Sequence, residues 1–544
     1  MANFLHRTIP YKHQEEAFYF LYNKDYGALF MEQGTGKTKT AIDLAVNWYS
    51  EGKINAVLLI APNGVQEQWH DTELPRHHAD IPMYSYVWKG ISSSIKKKEI
   101  LELIYENKNV LKWFCVNVEA FSTDNNLNLF TEYVKKNKTL IIVDEATIIK
   151  NHEAKRSHNI IFGLSEVRKS GRRILSVIPY SVKRLILTGT MVTNAPYDIW
   201  NMFEFLKPGF FGMDFYTFKL HYGIERRMQV PGTNRYYMRK IKKSEIESVR
   251  TYFDRGLPIE AIARKMSLSE SSVKFLVDNR HLNSPYKNLD QLKEKIEPFS
   301  FIVRKKDCLD LPPKIYEEIR VKLNDEQKKA YLEMKKELCS TYEGKELTAL
   351  NKVSLILRLQ QITGGFFPYV DDESENVKYE AIGKTNPKIE ALLQDIEECS
   401  TRPIIVSARF TAEVETIQKA LKEKLEDENI VVLYGKTPKE ERVSIRESFD
   451  KGLIDILVVS PLLVRRGFNF QIASVMYLYS NDYSLETREQ LEDRIHRNGQ
   501  LSTSVVYKDI VVKGTVDEQV LSILKDKKDL LEFMRDKSLK EFIG

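Results

Sequence analysis

Short apolar runs alternate with longer mixed segments through the first 200 residues. The runs Gly27 to Met31, Ala56 to Ala61, Trp113 to Val116, Thr139 to Val143 and Arg184 to Thr188 read as strands, with Gly-, Asn-, Asp- or Thr-rich loops after several of them. That rhythm belongs to a parallel sheet with crossover helices, in which ligand chemistry collects where strands end and helices begin. It returns in Pro403 to Ser407, Ile430 to Leu433, Asp455 to Ser460, Val475 to Tyr479 and Val505 to Ile510. The pattern predicts an α/β protein of two tandem parallel-sheet lobes with helical insertions.

Between the lobes the pattern changes. From about Phe210 to Phe299 few strand-like runs appear, and most of the segment reads as helical. Ile259, Ile262, Ala263 and Met266 fall at helical spacing, Ser267 to Ser269 can turn the chain, and Val273, Phe275, Leu276 and Val277 mark a second helix. Residues 256–277 are therefore expected to form a helix-turn-helix. Leu311-Pro312-Pro313-Lys314 breaks helix and marks a crossing point. Asn324 to Leu359 reads as helical, Asp371 to Glu380 as an exposed acidic loop, and Thr515 to Phe533 as a closing helix. The expected divisions are a first lobe at 1–210, a helical insertion and bridge at 211–310, a second lobe at 311–514 and the closing helix at 515–544.

Composition changes little in this picture. Length calls for more than one core, and 42% apolar with 29% charged residues is ordinary globular usage, which argues against disorder as the main state. The net charge of +6 points only weakly to a nucleic-acid partner. Lys96-Lys97-Lys98, Arg239 to Lys243 and Arg304-Lys305-Lys306 are local basic clusters, each either a contact surface or a solvated face. Cys115, Cys308, Cys339 and Cys399 form no CxxC pair, which argues against a zinc site or disulfide framework. The first residues lack a secretory pattern and no run reaches membrane-spanning length, so a cytoplasmic protein without a membrane partner is expected.

Three segments carry chemistry. Gly34-Thr35-Gly36-Lys37-Thr38 follows an apolar strand and precedes an amphipathic helix. Such a turn directs backbone N–H groups at phosphate oxygens, Lys37 adds positive charge, and the Thr38 hydroxyl can ligate Mg²⁺. The first glycine of the full eight-residue form is Met31 here, and a structural glycine turn is the alternative reading. Asp144 and Glu145 end an apolar strand, where burying two carboxylates calls for a cation or hydrogen bonds. Asp144 would hold Mg²⁺ through its water shell and Glu145 would polarise an attacking water, the alternative being a helix cap. Arg494 and Arg497, three apart on an expected helix, could face the γ-phosphate of ATP if the second lobe presents them to it, or simply face solvent.

Together these residues resemble helicase superfamily 2, and within it the Swi/Snf-type DNA translocases. The resemblance runs nearly the length of the chain. Pro10-Tyr11-Lys12-His13-Gln14 matches the adenine-reading motif, which makes Gln14 the adenine ligand. Ala61-Pro62-Asn63-Gly64 through Trp69 resembles a segment that touches the DNA backbone, with Asn63 a candidate contact. Leu187-Thr188-Gly189-Thr190, with Asn194, resembles the motif coupling hydrolysis to DNA contact; Phe299 through Arg304-Lys305-Lys306 to Lys314 resembles the bridge between lobes. Gly467-Phe468-Asn469-Phe470 matches a late glycine motif, placing Gly467 at the nucleotide and Asn469 near DNA. Asp493-Arg494-Ile495-His496-Arg497-Asn498-Gly499-Gln500 matches the arginine-finger motif, with Gln500 as a coupling residue.

The resemblance implies two RecA-like lobes, ATP with Mg²⁺, and hydrolysis coupled to movement on double-stranded DNA. Branched or single-stranded DNA and replication, repair or recombination proteins are further candidate partners, and a monomer of bacterial or viral type is expected. A strand-separating helicase and a nucleotide-gated binding module are the rival readings. Thr147 stands where the family usually has His, Met191 where it has Pro, and Val464-Arg465 where it has paired glycines, which puts the backbone contacts at Arg465 and Arg466 in doubt while adding charge near the expected DNA path. The helix-turn-helix falls where the family connection varies. Ser269, Ser271, Ser272 and Lys274 could face DNA there, unless the insertion is structural or binds protein.

Overall fold

The computed structural model describes residues 4–91, 93–106, 109–163, 177–229, 236–280, 284–340, 349–370, 377–464 and 468–535. The chain divides into two units, Met1–Glu32 with Gly36–Val303 and Leu531–Gly544, and Gln33–Thr35 with Arg304–Leu530.

In the first unit the strands are β1 (Tyr26–Met31), β2 (Ala56–Ala61), β3 (Met83–Val87), β4 (Leu111–Asn117), β5 (Thr139–Asp144), β6 (Lys183–Thr188), β7 (Glu225–Gln229), β8 (Tyr236–Lys240) and β9 (Ser300–Val303). Seven of them make one parallel sheet, in the order β3-β4-β2-β5-β6-β1-β9. Every residue of β2 and β5 is buried, as expected of strands covered by helices on both faces. All five expected strands are present. The edge strand β3 escaped notice because its exposed side tolerates a mixed sequence. The four residues of β9, expected within the bridge between lobes, instead pair with β1 from Ala28↔Ser300 to Met31↔Val303.

The second unit holds β10 (Lys314–Val321), β11 (Phe366–Val370), β12 (Val377–Ala381), β13 (Ile404–Ser407), β14 (Ile430–Leu433), β15 (Ile456–Val459), β16 (Val475–Leu478) and β17 (Val505–Val512). Its parallel sheet runs β10-β17-β16-β13-β15-β14. Alternate residues serve two cores: Ile404, Val406, Ile456, Val458 and Tyr477 on one face, Ile405, Leu457, Val459, Met476 and Leu478 on the other. Part of the expected acidic loop is corrected: Val377–Ala381 is a strand paired with Phe366–Val370, whereas 371–376 lie outside the described residues. Helices Asp325–Ser340 and Ala349–Thr363 occupy the segment read as helical. Helix Val516–Arg535 fastens its start to this unit: Val516 N–H donates to Tyr331 Oη at 2.9 Å, and Asp517 accepts from Thr363 Oγ1 at 2.9 Å and Lys388 Nζ at 3.1 Å.

The segment expected to be helical is mostly so and starts with helix Phe215–Tyr222; the hairpin of β7 against β8 that follows it was not foreseen. Glu225-Arg226-Arg227-Met228-Gln229 offers neither an apolar run nor an alternation to mark a strand. Helices Lys243–Asp254, Ile259–Met266 and Glu270–Asp278 follow, the last two forming the expected helix-turn-helix. Ser267 closes the first of these in the left-handed region, φ 51°, and Ser269 caps the second by accepting from Ser272 N–H at 3.2 Å. Ile224, Ile241, Ile246, Ile262, Val273 and Leu276 belong to one core shared by hairpin and helices. The insertion's two ends meet: Gly223 bridges Tyr286, and Ile224 N–H donates to Pro285 O at 2.8 Å. Among the described residues no helix is long and apolar enough to cross a membrane.

Candidate active site

The turn after β1 takes its shape from two glycines, Gly34 at φ 87° and Gly36 at φ 89°, with Thr35 between them. Both angles are costly for a residue bearing Cβ. Helix Lys37–Ser50 starts directly after Gly36, and the first-turn N–H groups of a helix have no intrahelical acceptors. A turn and helix start of this kind can offer N–H groups to an anion. Gln14 is buried in helix Lys12–Tyr22, and a Cβ on Gly36 would lie 2.1 Å from its Nε2. Gln14 thus sits directly against the loop, its Oε1 held by Tyr11 N–H at 3.1 Å.

Lys37, 8% exposed, brings Nζ within 3.7 Å of Glu145 Oε1. Glu145 has left-handed backbone, φ 49°, an uncommon state for a non-glycine residue that concentrates at functional sites. Asp144, at the end of β5, is 4% exposed. Its Oδ2 accepts from Trp69 Nε1 at 2.7 Å and its Oδ1 from Glu145 N–H at 2.8 Å. Burial, then the neighbouring Glu145, pushes the Asp144 carboxyl up to about 6, against the opposing pull of Lys37 and Trp69. A buried oxygen donor with this surplus of negative charge beside it fits a hard divalent cation, and the half-buried Thr38 hydroxyl stands at the adjacent helix start.

Sequence reasoning missed Trp69 as the partner of Asp144. Trp69 opens a π-helical turn, Trp69–Glu73, of a kind that often re-aims a functional side chain. Trp113 is equally buried, but among the described residues its Nε1 has no hydrogen-bond acceptor. Trp69→Phe is therefore expected to destabilise the first unit by about 1–3 kcal/mol more than Trp113→Phe, since only the former strands a buried acceptor. Denaturant midpoints of the two variants check this; equal losses would remove the Trp69–Asp144 bond as a stabilising contact.

Beyond β6, Thr190 N–H donates to Thr188 Oγ1 at 3.1 Å and Thr188 Oγ1 to Thr190 O at 3.2 Å, closing a compact turn. Asp198 Oδ2 accepts from Thr193 N–H at 2.9 Å and Asn194 N–H at 2.8 Å, while Lys150 Nζ donates to the Thr193 hydroxyl. The segments following Asp144-Glu145 and Thr188-Thr190 are thereby fastened to each other. Asn63 is exposed in the loop after β2, its Oδ1 accepting from Gln66 Nε2 at 3.4 Å.

In the second unit the expected placement of Arg494 and Arg497 on a helix is corrected. Helix Leu485–Glu492 ends before them, and both lie on successive turns. Arg494 is 6% exposed, with Nη1 donating to Phe468 O at 3.0 Å, and Arg497 is half-buried. Gln500 clasps these turns: Nε2 donates to Ala473 O at 2.8 Å and Ile495 O at 3.0 Å, and Oε1 accepts from Ser502 N–H at 3.0 Å. Asn469 Nδ2 donates to Gln471 Oε1 at 3.1 Å, whereas Arg465, Arg466 and Gly467 lie outside the described residues.

The turns rest on a buried ionic network. Glu492 accepts from Arg488 Nε at 2.7 Å, Tyr316 Oη at 2.7 Å and Lys314 Nζ at 3.1 Å; Asp493 pairs with Lys305 at 2.6 Å; Arg488 also grips Asp509 at 2.6 Å. Burial works against ionisation of Glu492, but Lys314 and Arg488 outweigh it and hold the carboxyl far below the usual carboxylate range. Lys305, 4% exposed, is thus withdrawn from the basic cluster Arg304-Lys305-Lys306, because a run of cations on paper does not say which one faces inward. Arg239 is likewise engaged, with Glu245 at 2.7 Å. On the insertion Ser271 and Lys274 are exposed, but Ser272 is 3% exposed and Ser269 donates to its hydroxyl at 2.8 Å, so Ser272 is corrected from outward contact to internal packing.

A family model described as the SNF2-related domain matches residues 13–364, and one described as the helicase conserved C-terminal domain matches residues 387–499. An uncharacterized ATP-dependent helicase of Mycoplasma genitalium is 23% identical over 511 residues, 93% of this chain and 40% of that protein. A putative ATP-dependent helicase/translocase of Bacillus subtilis is 23% identical over 522 residues, 94% of this chain and 47% of that protein. The chain spans less than half the length of these curated relatives. The SWI2/SNF2 ATPase core of Sulfolobus solfataricus, solved in complex with double-stranded DNA, aligns over 98% of this chain and 94% of that one with a TM-score of 0.38 and 18% identity. With the SNF2-related model alone covering well over half of its residues, the chain belongs to the SNF2-related family of superfamily-2 helicase-type ATPases.

Proposed function

We propose that this protein is a DNA-dependent ATPase that couples ATP hydrolysis to translocation along double-stranded DNA. The observation that carries the reading is the convergence of Lys37, Asp144 and Glu145 beside a glycine turn shaped for phosphate. In this reading the Lys37–Glu145 ion pair is exchanged on ATP binding: Lys37 turns to the terminal phosphates and frees Glu145. The Glu145 carboxylate then takes a proton from the attacking water as its oxygen bonds to the γ-phosphorus and the bond to the bridging oxygen of ADP breaks. Thr38 and Asp144 would hold Mg²⁺, which neutralises phosphate charge. Arg494 and Arg497 disperse the charge that grows on the transferred group. Gln14 recognises adenine, Thr188, Thr190 and Gln500 couple hydrolysis to DNA contact, and Asn63 and Asn469 contact DNA.

ATP turnover measured with duplex, single-stranded and branched DNA and with RNA tests the proposal. Duplex DNA is expected to raise turnover by at least about tenfold, a barrier change of about 1.4 kcal/mol. No response to any DNA would sink the motor reading and leave a nucleotide-gated binding module. Displacement of a third strand from a triplex without separation of a labelled duplex is expected; duplex separation would make it a strand-separating helicase instead.

A further inference from the structure

The positive charge of this chain is concentrated in one place. Residues 225–287 hold fourteen Lys and Arg against seven Asp and Glu, a net +7 that exceeds the +6 of the whole chain. The remainder is slightly acidic. The same stretch folds around its own core as a hairpin and three helices, with the hairpin tied to the helix-turn-helix by Arg227 N–H donating to Ser267 O at 3.0 Å. A compact body with such an excess of cations has the electrostatic footprint of a polyanion-binding module.

The distribution of side chains is more specific than the total. On helix Glu270–Asp278 the buried stripe is Val273, Leu276 and Val277, which leaves Ser271 and Lys274 exposed between the acidic end residues Glu270 and Asp278. Arg227 on β7 and Arg264 on helix Ile259–Met266 are exposed on the neighbouring elements. A helix with mixed small, acidic and basic side chains suits base edges, since carboxylates accept from the cytosine amino group and hydroxyls bond either donors or acceptors. Exposed arginines suit phosphates.

We propose that the insertion is a second DNA-binding site, which lays helix Glu270–Asp278 into the major groove of duplex DNA and clasps the backbone with Arg227 and Arg264. The choice of duplex DNA as the polyanion rests on the DNA-motor reading. The site operates without nucleotide and gives the protein a sequence preference that the ATPase lobes do not supply.

The test uses the full chain without nucleotide, binding a fluorescent random-sequence duplex pool over a range of salt, followed by sequencing of the retained fraction. Arg227→Glu with Arg264→Glu is expected to weaken binding about tenfold for all sequences and to lower the salt slope by about 2. Ser271→Glu with Lys274→Glu is expected to abolish the sequence preference. Wild-type affinity, salt slope and preference in both double variants would overturn the proposal. All four positions are exposed; should either double variant lose its thermal transition, the alanine versions replace it, with the same directions expected and the same overturning result. ATPase stimulation of the wild-type chain, read in parallel, separates the two readings: absent stimulation with weakened binding in the variants defeats the motor and leaves this site standing.

Discussion

Lys37→Ala and Glu145→Gln will each lower ATP turnover by about 10²–10³-fold, the size of effect produced by removing one preorganised electrostatic group from a transition state. They will part company in nucleotide affinity. Lys37 lies beside the phosphate turn and 3.7 Å from Glu145, so its loss removes a charge-assisted contact to ATP and should weaken binding by about ten- to a hundredfold. Glu145→Gln keeps Lys37 and removes a negative charge facing the triphosphate, so affinity should be retained or improved. Single-turnover hydrolysis beside titration with a fluorescent nucleotide separates the two. A Glu145→Gln chain that still turns over at half the wild-type rate would take Glu145 out of the chemistry.

The second large effect falls on stability. Glu492→Ala removes the acceptor shared by Arg488, Tyr316 and Lys314 and leaves Arg488 with Asp509 alone and Lys314 with Asp493 alone, which is expected to cost about 3 kcal/mol. The exposed pair Lys419–Glu423 is the control, and Glu423→Gln should change stability by less than about 1 kcal/mol. The pH dependence follows from the depressed Glu492 carboxyl. A carboxylate that ionises more readily folded than unfolded contributes its full stabilisation above the unfolded value, about 4.3. As pH falls below that, the unfolded chain takes up a proton that the folded site refuses, and stability declines toward the folded value. Glu492→Gln should therefore flatten the acid limb of a stability profile drawn from denaturant midpoints of the second unit. An unchanged acid limb would show that Glu492 does not carry it.

Particular residues show why some of this was legible in the sequence and some was not. β2 and β5 were legible because burial on both faces leaves a continuous apolar run. β10 was not, because Lys314-Ile-Tyr-Glu-Glu-Ile-Arg-Val321 is largely exposed and owes its place to eight-residue pairing with β17, a long-range fact. The helix-turn-helix declared itself through Ile259, Ile262, Ala263 and Met266 and the Ser269 cap. Lys37, Asp144 and Glu145 were readable because a glycine turn and a strand end fix where such side chains must go. Trp69 was not, since its bond to Asp144 joins residues 75 positions apart. Arg494 and Arg497 were expected on a helix and lie beyond its end: the helix stops at Glu492, whose carboxylate is drawn into the ionic network beneath.

The meeting of the insertion's two ends at Gly223 and Tyr286 has a consequence for how such a chain can vary. A segment that leaves and re-enters its host at neighbouring points behaves as a cassette. It can be transplanted, exchanged or excised across a short splice without re-threading any strand of the seven-stranded sheet. The inserted body and the sheet that carries it can then diverge independently, the one changing while the other stays as it is.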